Sequence, residues 1–114
     1  MSVKLTNRQV GDVTVVDAVG RITLGEGAST FRDSIRDLAA GGHKKILLNL
    51  AEVSYIDSSG IGELVSGFTT VANQGGSVKL LKLTKRVQDL LQITKLYTVF
   101  EVHDDEAKAV RSFA

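Results

Sequence analysis

Two serines and an aspartate stand together in the segment YIDSSGIGELV, residues 55–65, where an apolar run gives way to an amphipathic one. A serine hydroxyl at such a place can be a nucleophile, a phosphate acceptor or a helix cap. A cap needs one hydroxyl, whereas this segment supplies two next to Asp57. Gly60 and Gly62 follow, although each glycine costs a helix up to about 1 kcal/mol. The pattern therefore indicates close approach of another group to this backbone.

A phosphate on Ser58 would suit the start of a helix. The first backbone N–H groups of a helix lack internal partners and favour the roughly 1.5 to 2 negative charges that a phosphate adds. Phosphorylation should therefore leave the fold intact and act on whatever docks at this surface. The alternative, in which Asp57 or Ser58 serves only as a helix cap, stays open.

The elements that must position these serines follow from the hydrophobic spacing. Alternating residues predict a strand near residues 3–9, and the run VTVVDAV predicts a second strand over 13–19, with Gly11 and Asp12 in the turn between them. The remaining predicted elements are a helix over 31–39, a strand over 46–50, a helix over 61–72, a strand over 77–83, a helix over 87–94, a strand over 98–102 and a terminal helix after residue 104.

This order predicts an α/β fold: a mixed β-sheet opened by a hairpin, with parallel strands that alternate with about four α-helices. No linker, repeat or proline divides the chain, so residues 1–114 are expected to form a single domain. Ligands usually meet such sheets at the carboxyl ends of the parallel strands. Three loops should gather there, namely residues 20–27, residues 51–59 and the short junction at Thr84.

Composition narrows the function classes. The formal net charge is +1, which provides no overall field for nucleic acid or an anionic membrane. The absence of cysteine excludes disulfides and thiolate chemistry. No window approaches the ~20 apolar residues of a membrane span, and the first ten residues lack the apolar region of a signal peptide. A cytoplasmic protein without a membrane span or direct nucleic-acid contact is therefore expected.

Rival chemistries of the serine segment lack residues that they need. A hydrolase elbow places glycine two residues before its nucleophile, but Ile56 stands there relative to Ser58. The two histidines are His43, predicted on the opposite rim, and His103, which has no evident orienting acid beyond its neighbours. In a receiver domain Asp57 would be the phosphorylated residue. Such a domain needs a pair of acids at the end of an earlier strand to bind magnesium, whereas only Asp17 is available, and it lies inside the strand.

Other sites also receive little support. The phosphate-binding pattern G-x-x-x-x-G-K-[ST] does not occur, and the two histidines are too isolated to predict a metal site, so no cofactor or metal is expected. Lys82, Lys85 and Arg86 form a small basic cluster without interleaved aromatic residues, which favours a solvated surface over a nucleic-acid site.

The segment YIDSSGIGELV after an apolar strand, together with GRITLGEG (residues 20–27) after the opening hairpin, resembles a bacterial anti-sigma factor antagonist of the STAS domain family. The resemblance covers nearly the whole chain. It implies that Ser58, the serine directly after the aspartate, is the phosphorylation site. It also implies a partner-binding surface made of Asp57, Ser58, Ser59, Gly60, Ile61 and Gly62. Arg21, Thr23 and Leu24 belong to the same implied surface, but they correspond less directly to the family's residues. Many relatives carry an acid in that earlier loop, whereas GRITL has none.

The resemblance implies partner switching without catalysis by this chain. In such a system the unphosphorylated antagonist binds an anti-sigma factor that is also a serine kinase, and a sigma factor is freed. Phosphorylation releases the antagonist, and a metal-dependent serine phosphatase resets it. Leu90 and Leu91 are candidates for partner contacts, although their spacing favours core packing. The alternative function is a non-catalytic interaction subunit of the same fold, in a signalling scaffold or a lipid or anion transporter.

Overall fold

The computed structural model describes residues 3–113 and begins with an antiparallel hairpin. Its strands are β1 (Val3–Val10) and β2 (Val13–Ile22), and the whole of β1 pairs with β2 from Val3↔Gly20 to Val10↔Val13. Gly11 in the turn has φ +62°, a left-handed conformation that glycine adopts without steric cost. The predicted hairpin is confirmed, and β2 continues past Val19 to Ile22.

Strands and helices alternate through the rest of the chain. The elements are α1 (Glu26–Ala40), β3 (Lys45–Ile56), α2 (Ser58–Asn73), β4 (Ser77–Leu81), α3 (Lys85–Ile93), a 3₁₀ turn (Leu96–Thr98), β5 (Val102–His103) and α4 (Glu106–Arg111). The sheet order is β1-β2-β3-β4-β5, and all pairs after the hairpin are parallel. The predicted α/β fold with a mixed sheet and about four helices is confirmed.

The helices cover the two faces of the sheet unequally. On one face, α1, α2 and α3 bury the main core through residues such as Phe31, Leu64 and Leu91. On the other face, α4 packs Ala109 against a smaller cluster from β2, β3 and β4 that includes Leu47. Within residues 3–113, none of the helices has both the length and the apolar composition needed to cross a membrane.

The strand that leads to the serines is longer than the sequence indicates. A loop was expected from residue 51, whereas β3 continues to Ile56 and its second half pairs with the end of β2, up to Ile22↔Ile56. Two register shifts interrupt this pairing, so the buried residues Val53 and Ile56 are three positions apart instead of two. These irregularities break the alternation by which a strand is recognised in a sequence.

The prediction of a strand over 98–102 is wrong for most of its length. Val99 follows the 3₁₀ turn, and β5 contains only Val102 and His103. Phe100 contributes to the core, because its ring meets the Phe68 ring edge-on with the centroids 5.4 Å apart. The apolar residues that predicted a strand are therefore used partly for packing against α2.

Candidate functional site

The serine segment lies at the rim formed by the carboxyl ends of β2, β3 and β4. Ile56 ends β3, Asp57 is the N-cap residue of α2, and Ser58 is the first residue of that helix. Ser58 is exposed, and Ser59 is half-buried. The end of β2 meets this turn directly, since the Asp57 N–H donates to the carbonyl of Ile22, the last residue of β2, at 3.3 Å.

Asp57 holds the two loops of this rim together. One carboxylate oxygen, Oδ1, accepts from the Gly60 N–H at 2.9 Å and caps α2. The other, Oδ2, accepts from the Leu24 N–H of the preceding loop, also at 2.9 Å. These bonds, with that from Gly60 the strongest and that from Leu24 next, hold the pKa of Asp57 below its usual range. The cap is thus an ionised aspartate, and the Ser58 hydroxyl is not needed for it.

Replacing Asp57 by asparagine separates its two roles. Asparagine keeps an oxygen for Gly60 but cannot also accept from the Leu24 N–H, so we expect a loss of about 1 kcal/mol in the free energy of unfolding at pH 7. Because the pKa of Asp57 is lowered in the folded state, its ionic contribution is present above the unfolded pKa of about 3.9 and is lost as the pH falls through the folded pKa. Urea unfolding should therefore show that the free energies of unfolding of wild type and Asp57→Asn differ less at pH 3 than at pH 7. An equal gap at both pH values would contradict this assignment.

The two glycines of the first turn of α2 have different surroundings. A Cβ atom at Gly60 would lie 2.2 Å from the Ile22 carbonyl oxygen and 2.6 Å from Cγ2 of Ile56. A Cβ atom at Gly62 would meet nothing within 4 Å, and Gly62 is exposed. The close approach that the sequence predicted is therefore made at Gly60 by the end of β2 in the same chain. At Gly62 the surface is open.

The predicted partner-binding residues separate into surface and supporting groups. Leu24 is 79% exposed, and its N–H donates to Asp57, the residue directly before the exposed Ser58. Gly60 and Ile61 are buried in the chain alone, so they support this surface instead of presenting side chains on it. Thr23 is half-buried, and its carbonyl accepts from the Ala28 N–H at 2.8 Å, which fixes the loop to the start of α1.

The rim has a second part, around Tyr55, that the sequence does not predict. Arg21 and Arg86 both lie over the Tyr55 ring, with the guanidinium carbons 5.7 and 5.6 Å from the ring centroid. Tyr55 is therefore the point at which β2, β3 and α3 meet. The neighbouring residues Leu90 and Leu91 have different surroundings. Leu91 is fully buried, while Leu90 is half-buried and lines a groove beside Tyr55. In the sequence, only the position of Tyr55 as the first residue of the serine segment pointed to this convergence.

The histidines and the earlier acid lie away from Ser58. His43 precedes β3, and its Nδ1 lies 2.9 Å from Thr14 Oγ1 near the start of β2, on the opposite rim as predicted. His103 Nε2 lies 2.5 Å from Glu101 Oε2 at the far edge of the sheet. Asp17 accepts from the Asn49 amide at 2.8 Å within the sheet. Among residues 3–113, no three His, Asp or Glu side chains are placed to hold a metal ion.

Comparison with known proteins gives consistent matches over nearly the whole chain. The family model of the STAS domain matches residues 4–109. The anti-sigma-B factor antagonist of Bacillus subtilis (strain 168) is 32% identical over 102 residues, which are 90% of this chain and 92% of that protein.

Two solved structures share the fold. A crystal structure of a protein from Thermotoga maritima superposes with a TM-score of 0.89 at 24% identity, covering 96% of this chain and 93% of that one. The phosphorylated form of the Bacillus cell fate determinant SpoIIAA superposes with a TM-score of 0.76 at 18% identity, covering 97% and 100%. At these identities the two structures establish a common fold.

Proposed function

This chain belongs to the STAS domain family, and we propose that it is an anti-sigma factor antagonist whose binding is switched by phosphorylation of Ser58. Its partner in this proposal is an anti-sigma factor that is also a serine kinase, and a metal-dependent serine phosphatase restores the binding form. Residues 1–114 act as one domain in the cytoplasm. The chain is a substrate and a binding module, not an enzyme. The name of the Bacillus subtilis relative and the existence of phosphorylated SpoIIAA support this assignment.

One observation carries the proposal: the exposed Ser58 hydroxyl stands at the first residue of α2, where the cap is already supplied by Asp57. A serine retained only for capping would accept a hydrogen bond from the helix start. Here that bond goes to a carboxylate, so the hydroxyl is accessible to a kinase. The dipole and free N–H groups of the helix start favour an added phosphate, so modification is compatible with the fold.

The charge next to Ser58 explains how a phosphate would act on binding. Asp57 is ionised because backbone N–H groups stabilise its carboxylate. A phosphate on the next residue adds roughly 1.5 to 2 negative charges to a surface that also carries the apolar side chain of Leu24. A partner that packs closely against Leu24 and the open face at Gly62 would have to desolvate this phosphate or move away.

The phosphoryl transfer itself requires a base from the kinase. The Ser58 oxygen forms a bond to the γ-phosphorus of ATP, the bond from that phosphorus to ADP breaks, and the hydroxyl proton leaves. Asp57 is the acid adjacent in sequence, but its two oxygens accept from the Gly60 and Leu24 N–H groups. The Asp57 carboxylate is therefore a poor base for this proton, and a carboxylate of the kinase acts as the base instead.

Phosphate mapping tests the proposal. Each purified anti-sigma factor kinase of the source organism is incubated with the protein and ATP, and the modified residue is located by mass spectrometry. We expect one kinase to modify Ser58, Ser58→Ala to abolish incorporation, and the matched control Ser59→Ala to retain most of it. Failure of all the kinases, or incorporation that persists in Ser58→Ala, would contradict the proposed function.

A further inference from the structure

A groove of about 500 Å³ runs along α3 next to the end of β3. Tyr55, Leu90 and Ile93 provide its apolar surface, and Lys85, Arg86 and Asp89 provide its charged surface. Ile93 is 77% exposed, although it is a large apolar side chain on an ordered helix. Burying such a side chain in an interface is favourable by the ordinary hydrophobic effect, so the groove offers a docking surface.

The groove lies near the Ser58 turn, because Tyr55 contributes to its lining. Tyr55 precedes Ser58 by three residues, which span at most about 11 Å of extended chain. The Thr84 hydroxyl fixes α3 at this position: it donates to the Val53 carbonyl of β3 at 3.2 Å and accepts from the Val87 N–H at 3.3 Å. One partner can therefore contact the Ser58 turn and the groove together.

The charge at the groove selects the chemistry of its occupant. Lys85 pairs with Asp89 at 3.2 Å, so these two charges largely balance. Among residues 3–113, neither Arg21 nor Arg86 has an ion-pair partner, and both guanidinium groups lie over the Tyr55 ring. Two uncompensated cations beside an apolar surface favour a carboxylate placed next to an apolar side chain.

We propose that this groove receives a bulky apolar side chain of the partner kinase, with a neighbouring carboxylate of the kinase bound by Arg86 and Arg21. This inference rests on the proposed function and adds to it a second contact outside the phosphorylated turn. The apolar side chain packs between Tyr55, Leu90 and Ile93. Because the groove does not touch the transferred phosphoryl group, it contributes to recognition of the kinase and not to the chemical step.

Variants of the groove test this against the kinase that phosphorylates Ser58. Ile93→Asp and Arg86→Glu change exposed side chains, and each is expected to weaken binding of that kinase about 10-fold or more, the scale of a central interface residue. Both should raise KM for phosphorylation of Ser58 with little change in kcat. Arg86→Lys retains the charge and should lose less affinity. The matched controls Val99→Asp and Lys108→Glu make similar changes at exposed positions outside the groove and should bind as wild type.

The outcomes separate this inference from the function on which it rests. If a kinase phosphorylates Ser58 but the affinities of Ile93→Asp and Arg86→Glu remain within about twofold of wild type, the groove contact is overturned and the switch stands. If no kinase phosphorylates Ser58, both are overturned. If Ile93→Asp instead abolishes self-association in sedimentation velocity and leaves kinase binding unchanged, the groove belongs to a second copy of the chain and the inference is wrong.

Discussion

Ser58→Asp is expected to weaken binding of the partner kinase by about 100-fold, because a carboxylate that replaces the hydroxyl in a closely packed interface would have to lose its water without gaining a partner. The fold should survive, since Ser58 is exposed at the first residue of α2 and an acid there is favourable by about 0.3 to 1 kcal/mol. Isothermal titration calorimetry gives the affinity, and urea unfolding gives the stability. We expect Ser58→Asp to lose affinity for the kinase while its free energy of unfolding stays close to that of wild type.

Ser66→Asp is the matched control for this substitution. Ser66 is also an exposed serine on α2, but it lies eight residues further along the helix, about 12 Å from Ser58. The same change there should leave kinase affinity within about twofold of wild type. Equal effects at the two positions would show that overall charge, and not the helix start, controls binding. A loss of stability in Ser58→Asp would contradict the placement of its side chain in solvent.

Gly60→Ala is expected to lower the free energy of unfolding by about 3 kcal/mol or more, since the added methyl group would overlap the β2 backbone. Its Cβ atom would lie 2.2 Å from the Ile22 carbonyl oxygen, a contact that rotation of a side chain cannot relieve. The start of α2 would have to move away from β2, which also disturbs the bond from the Asp57 N–H to the same carbonyl. Chemical denaturation measures this loss.

Gly62→Ala provides the internal comparison. It lies two residues further along the same helix, but its Cβ atom would meet nothing within 4 Å. Alanine is favoured over glycine in a helix by about 1 kcal/mol, so this variant should be as stable as wild type or more so. If Gly60→Ala and Gly62→Ala have the same stability, the close packing of α2 on the end of β2 is not as the structure shows it.

The order of the elements could be predicted from the sequence because their hydrophobic patterns are local. The opening hairpin, the glycine stops after α1 and α2, and the helical spacing from Ile61 to Ala72 all reflect neighbours within one or two turns. The family resemblance, which rested on the serine segment and the loop after the hairpin, is confirmed by the match over residues 4–109.

The parts that the sequence did not reveal depend on contacts between distant segments. The second half of β3 is defined by its irregular pairing with β2, and the bond from the Leu24 N–H to Asp57 joins residues 33 positions apart. The meeting of Arg21 and Arg86 at Tyr55 likewise requires three elements to converge. No local sequence pattern records such contacts. The groove beside Tyr55, and the reason why position 60 requires glycine, could therefore be recognised only in three dimensions.

The affinity of a single preparation before and after phosphorylation tests the central claim most directly. The protein is phosphorylated stoichiometrically by its kinase, one half is treated with a serine phosphatase, and both halves are titrated against the kinase. Because Ser58 is exposed at the start of α2, the phosphorylated half is expected to bind the kinase at least about 100-fold more weakly. Phosphatase treatment is expected to restore the original affinity. Equal affinity of the two halves, with phosphate located on Ser58, would contradict the switch.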